Sequence, residues 1–204
     1  MSRIKNIIFD LGGVLLNIDY NKSIVAFEKI GIKNFQQMFS QAKVDAVFDD
    51  LETGKLSEED FYKIIKERTK IAATNEQIAA AWNALILGFR IESLDFLEKI
   101  SGQYKLYLLS NTNSIHLKYF QEIFTQETGK PSLDDHFIKA WYSHQIGLRK
   151  PEKEIFEFVL EEANLLLEET LFIDDTISNI ETAAAMGIKT RFLKDGERIE
   201  DMLG

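Results

Sequence analysis

The run Ile7-Ile8-Phe9-Asp10-Leu11-Gly12-Gly13 constrains this chain more than any other segment. A continuously apolar, β-branched stretch offers no polar face to water, so it belongs to a strand buried on both sides of a sheet. The glycines mark a turn, and the aspartate is left at the carboxyl end of the strand. Similar runs recur. Tyr104 to Leu109 stops at Ser110-Asn111-Thr112-Asn113, Thr170 to Ile173 stops at Asp174-Asp175, Lys189 to Leu193 closes the series, and a weaker candidate spans Lys139 to Tyr142. Helical patterns lie between them at 115–124, at 152–162 with Pro151 as a first helical residue, and at 177–186 with Gly187 as the stop. Strand alternating with helix predicts an α/β fold with a doubly wound, Rossmann-like parallel sheet.

Residues 15–91 break that rhythm. Only helical patterns are read there, at 22–30, 35–48, 57–69 and 75–87, with a turn around Gly54. Ser57-Glu58-Glu59-Asp60 is a strong helix start, a hydroxyl cap followed by acids in the first turn. A helical module is therefore inserted after the first strand. Its aromatic residues Phe27, Phe35, Phe39, Phe48, Phe61, Trp82 and Phe89 are expected to form its core, with one or two facing a ligand.

Composition narrows the function. The 204 residues carry 24 basic and 33 acidic side chains, a formal charge of −9, with no basic block to attract nucleic acid or an anionic membrane. There is no cysteine, which excludes disulfides, thiolate nucleophiles and Cys-ligated zinc. His116, His136 and His144 are too scattered for a His-rich metal site, and His116 and His144 are read as ordinary surface or structural residues. No signal-peptide pattern and no membrane-length apolar stretch is seen, so the expectation is a cytoplasmic protein.

Ligands of open α/β sheets gather at the carboxyl ends of the strands. Those ends supply Asp10, then Ser110 with Asn111, then Asp174 and Asp175, with Lys150 just before Pro151. Each alone has a structural explanation: a strand-end aspartate is often a turn former and a lysine is usually at the surface. Carboxylates crowded together resist ionisation unless a cation neutralises them, and Mg²⁺ takes one or two carboxylates plus a substrate phosphate. A lysine and a hydroxyl suit the remaining phosphate oxygens. The expected ligand is a small phosphorylated metabolite, and the available nucleophile is a carboxylate.

Ile8-Phe9-Asp10-Leu11-Gly12-Gly13-Val14, Leu108-Leu109-Ser110-Asn111, Arg149-Lys150-Pro151 and Phe172-Ile173-Asp174-Asp175 together resemble the ordered motifs of the haloacid dehalogenase superfamily. The glycine and asparagine pattern is most similar to a branch containing bacterial sugar-phosphate phosphatases of the α-glucose-1-phosphate type. The resemblance implies a core of 1–14 and 92–204 with a helical cap at 15–91. It implies Asp10 as nucleophile forming an aspartyl-phosphate, Ser110 and Asn111 as phosphate contacts, and Lys150 as the neutralising cation. It implies Mg²⁺ held by Asp10, Asp175 and the Gly12 carbonyl, with Asp174 as ligand or as support for one. The sequence itself leaves monomer and homodimer open.

One position departs from the superfamily's phosphatase pattern. The second aspartate of that pattern, two residues after the nucleophile, is here Gly12. A carbonyl ligand survives this change, but a proton donor does not. Asp19, at the entry to the cap, is a candidate substitute and substrate contact. Two alternatives stay open: a dehalogenase, which lacks the second acid but has no use for an Asp-Asp metal pair, and a pseudo-phosphatase that binds without turnover.

Overall fold

A computed structural model describes residues 3–33, 35, 37 and 46–201. Five parallel strands form the main sheet: β1 Asn6–Phe9, β4 Lys105–Ser110, β5 Lys139–Tyr142, β6 Thr170–Asp174 and β7 Lys189–Phe192, in the order β5-β4-β1-β6-β7. The first strand is central because it is buried at every residue. Its side chains alternate between two apolar layers: Ile7 and Phe9 join Leu106, Leu108 and Phe120 on one face, and Ile8 joins Tyr107, Leu109, Phe156 and Phe172 on the other. Helices cover both faces, as the alternating pattern requires.

The insertion contains α1 Tyr20–Lys29, α2 Val47–Glu52, α3 Glu58–Thr69 and α4 Asn75–Asn83. Their apolar faces meet in a separate core of Phe27, Phe48, Phe61, Ile65, Ile78 and Trp82. Phe35 stacks on Phe27 with ring centroids 4.0 Å apart. Ser57 caps α3 by accepting the Asp60 N–H, and Thr74 and Gln77 form a reciprocal capping box on α4. Phe39 and most of the helix read at 35–48 lie outside the described residues.

Three readings are corrected. Residues 15–91 do contain strands: β2 Leu16–Ile18 and β3 Ile86–Phe89 form a two-stranded antiparallel sheet where the chain enters and leaves the insertion. These runs of three and four residues are too short to display a period. The helix read at 75–87 accordingly ends at Asn83, and Phe89 packs in the main core, against Phe124. Pro151 does not begin a helix: it follows a cis peptide bond, and α8 Lys153–Glu162 starts after Glu152. An element missed altogether is α5 Ile91–Ile100, which has no side-chain cap to announce it but buries Leu94, Leu97 and Ile100. The remaining helices are α6 Ser114–Thr128, α7 Ser143–Ile146 and α9 Ile177–Ala185. No helix among the described residues is long and apolar enough to cross a membrane.

Candidate active site

The carboxyl ends of β1, β4 and β6 open into a cleft of about 750 Å³ between the insertion and the sheet. Asp10, Ser110, Asn111, Lys150 and Asp175 line it. Asp10 and the distant pair Asp174-Asp175 each place a carboxylate oxygen within 4.8 Å of the others.

Lys150 sits among them, 1% exposed. Its ammonium donates to Asp10 Oδ1 and Asp174 Oδ2, both at 2.7 Å, and lies 5.4 Å from the centre of the Phe172 ring. Burial by itself would lower its pKa, but the two carboxylates outweigh burial and hold it above the ordinary lysine value. The Asp10 carboxyl is raised to about 7, by burial first and then by Asp174 and Asp175, against the pull of Lys150. The Asp175 carboxyl is also raised, by burial and then by Asp174. One ammonium does not neutralise three carboxylates, so the cluster favours a further cation.

The donors divide the three acids into roles. Asp174, fully buried, accepts from the Thr176 N–H at 2.7 Å, from Asn179 Nδ2 on both oxygens, and from Lys150. Its acceptor sites are taken by protein. Asp10 and Asp175 keep oxygens on the cleft side, so they are the residues that fit a metal, with Asp174 holding Lys150 in place. Gly13 makes this possible. Its φ is +72°, and a Cβ there would stand 1.9 Å from Asp175 Oδ2. Gly13→Ala is expected to displace that carboxylate and to raise the magnesium concentration for half-maximal activity at least about tenfold, read from a metal titration of turnover.

The other candidate residues fall out differently. Ser110, at the end of β4, is buried on the cleft wall, as a phosphate contact requires. Asn111 lines the cleft beside it, and its side chain is bonded to the lysine loop: its Nδ2 donates to the Lys150 carbonyl at 2.8 Å and its Oδ1 accepts from the Lys150 N–H at 2.9 Å, so the amide positions that loop. Asp19 lies at the start of α1. Its carboxylate accepts the Asn21 N–H at 2.9 Å as the N-cap of α1, and the cleft wall is formed by its neighbours Ile18 and Tyr20. At Gly12, a Cβ would come within 3.3 Å of Ile18 Cδ1, a tight contact with the end of a β2 side chain.

Two sets of residues escaped the sequence reading. Arg149 joins the core to α2: its Nε and Nη2 donate to Glu52 Oε2 at 3.1 and 2.9 Å, and its Nη1 lies 2.9 Å from Asp49 Oδ1. Burial pushes the Glu52 carboxyl up even with that guanidinium beside it. The placement of Arg149 directly before Lys150 was the available signal. His116 also lines the cleft, buried against Trp82. Nothing in its spacing distinguished it from a core histidine.

A family model described as haloacid dehalogenase-like hydrolase matches residues 4–187. The chain belongs to that family. This hydrolase is 35% identical over 187 residues to a D-ribitol-5-phosphate phosphatase from Bacteroides thetaiotaomicron, covering 92% of this chain and 90% of the relative. A crystal structure of a haloacid dehalogenase family enzyme from the same organism superposes with a TM-score of 0.93 at 37% identity, covering 100% of both chains. The wild-type form of that enzyme in complex with magnesium and inorganic phosphate superposes at 0.89 and 36% identity, covering 98% of this chain and 100% of the other.

Proposed function

We propose that this hydrolase is a magnesium-dependent phosphatase of small sugar or polyol phosphates, working through an aspartyl-phosphate at Asp10. The observation that carries the proposal is the buried triangle of Asp10, Lys150 and Asp174, with Asp175 facing the same cleft. Relatives named as a D-ribitol-5-phosphate phosphatase and as a magnesium and phosphate complex support the substrate class and the metal.

Asp10, Asp175 and the Gly12 carbonyl would hold the ion. When bound, magnesium supplies positive charge that lets a carboxylate approach a phosphate dianion. Lys150 neutralises the charge that remains, and the Ser110 hydroxyl donates to a phosphate oxygen. An Asp10 carboxylate oxygen forms a bond to phosphorus as the bond to the alcohol oxygen breaks, and that oxygen takes a proton from cleft water. Water oxygen then bonds to phosphorus, the acyl-phosphate bond breaks, the carboxylate is restored, and the proton of the water passes to solvent. Residues 15–91 act as a cap that excludes bulk water over a core of 1–14 and 92–204. The formal charge of −9 favours a small-metabolite enzyme of the cytoplasm over a partner of nucleic acid or membrane.

A phosphate-release screen tests this, using pentitol phosphates, hexose 1- and 6-phosphates, nucleotides and phospho-acids. Release is expected on the polyol and sugar members. EDTA is expected to lower it at least about 10²-fold, with recovery on added Mg²⁺. Halide release from a 2-haloacid without metal would support the dehalogenase reading instead. A silent panel would favour binding without turnover.

A further inference from the structure

We propose that His116 reads a hydroxyl group of the leaving alcohol, as a neutral hydrogen-bond acceptor built into the seam between cap and core. The inference rests on the phosphatase reading above and adds what the cleft selects.

His116 belongs to the first turn of α6, where its backbone N–H is held at 3.1 Å by the Asn113 side-chain oxygen. Its Nδ1 lies 2.7 Å from Asn83 Oδ1, at the end of α4 in the cap. A carbonyl oxygen only accepts, so Nδ1 carries the proton and the lone pair is on Nε2. The ring stacks on Trp82, with centroids 5.0 Å apart and planes 15° apart, and Trp82 stacks in turn on Phe48 at 5.1 Å and 15°. Tautomer and ring plane are therefore both set before any ligand arrives. Burial holds the imidazole near pKa 3, so it stays neutral through the physiological range.

A neutral acceptor on the wall of a phosphate cleft has an obvious complement in an alcohol O–H. Asp49 and Glu52 line the same cleft. Arg149 lines it with them and is paired to both, so this wall is a polar, largely charge-compensated surface that suits a neutral, polyhydroxylated leaving group. The Phe48-Trp82-His116 stack, contributed jointly by cap and core, lets this contact form only with the cap seated.

The test compares wild type, His116→Phe and His116→Gln on ribitol 5-phosphate and on n-pentyl phosphate, which has the same chain length and no hydroxyls. His116→Phe is expected to raise KM for ribitol 5-phosphate about tenfold or more, with kcat within about twofold, and to leave kcat/KM for pentyl phosphate unchanged. His116→Gln, which keeps an acceptor, is expected to recover most of the loss. Equal losses on both phosphates, or no loss on either, would overturn the proposal in favour of a packing role. If His116→Phe does not fold by thermal melt, the comparison of His116→Leu, a smaller side chain that likewise lacks an acceptor, with wild type on a series of deoxy-pentitol phosphates decides it. Loss of discrimination against one missing hydroxyl supports the proposal, and unchanged discrimination at every position overturns it. A wild type that releases phosphate from neither compound overturns the phosphatase reading itself and this inference with it.

Discussion

Replacing Asp10 with Asn is expected to reduce phosphate release at least about 10⁴-fold while leaving the melting temperature unchanged or higher. The carboxamide has nearly the same shape, so the turn after β1 and the buried lysine need not move. It lacks the charge needed to attack phosphorus, and it removes one anionic ligand from the metal. Stability moves the other way for an electrostatic reason. Lys150 supplies one positive charge against three carboxylates that lie within 4.8 Å of one another. The Asp10 carboxyl is held at about 7, by burial first and then by Asp174 and Asp175, so its charged form carries a cost in the native state. Asn relieves it, and Lys150 keeps its 2.7 Å bond to Asp174. Loss of function with no loss of stability marks a residue kept for chemistry. Activity within about tenfold of wild type would place the nucleophile elsewhere.

Lys150→Met is expected to cost about 3–5 kcal/mol of folding stability at pH 7 and to abolish turnover. Methionine fills most of the volume, so the penalty is electrostatic and not a cavity. It leaves Asp10 and the fully buried Asp174 facing each other without a cation. The Asp10 carboxyl would then titrate in the folded state further above its unfolded value of 3.8. A folded state that holds more protons than the unfolded one gains stability as pH falls. The gap between variant and wild type should therefore narrow from pH 7 to pH 5 in urea melts. A gap that is constant across that range would mean the lysine contributes packing only.

Much of this was legible before any coordinates. Ile7, Ile8 and Phe9 have no polar face, so β1 had to be an interior strand, and Asp10 had to emerge at its carboxyl end. The same logic located Ser110 at the end of β4 and Asp174-Asp175 at the end of β6. The strands of the insertion were hidden because three or four residues show no period, and because a glycine sits inside β3. There Gly88 has φ +142°, and a Cβ would meet Glu127 Oε1 at 2.6 Å, a contact 39 positions along the chain that local sequence does not reveal. Helix α5 was missed because no side chain caps it.

Within the site, residue type and chain order were enough to nominate Asp10, Ser110, Lys150 and Asp175, because a strand's direction alone decides which of its residues reach the rim. Which polar atoms are already spoken for was decided only by the tertiary structure. Asn111 turns inward to the Lys150 backbone, Asp174 is saturated by Thr176, Asn179 and Lys150, and Asp19 closes the end of α1. His116 becomes part of the cleft because a helix of the insertion brings Asn83 and Trp82 against it. A hydrogen bond is a property of two groups at a distance, and these partners come from segments that meet only when the insertion folds back over the sheet.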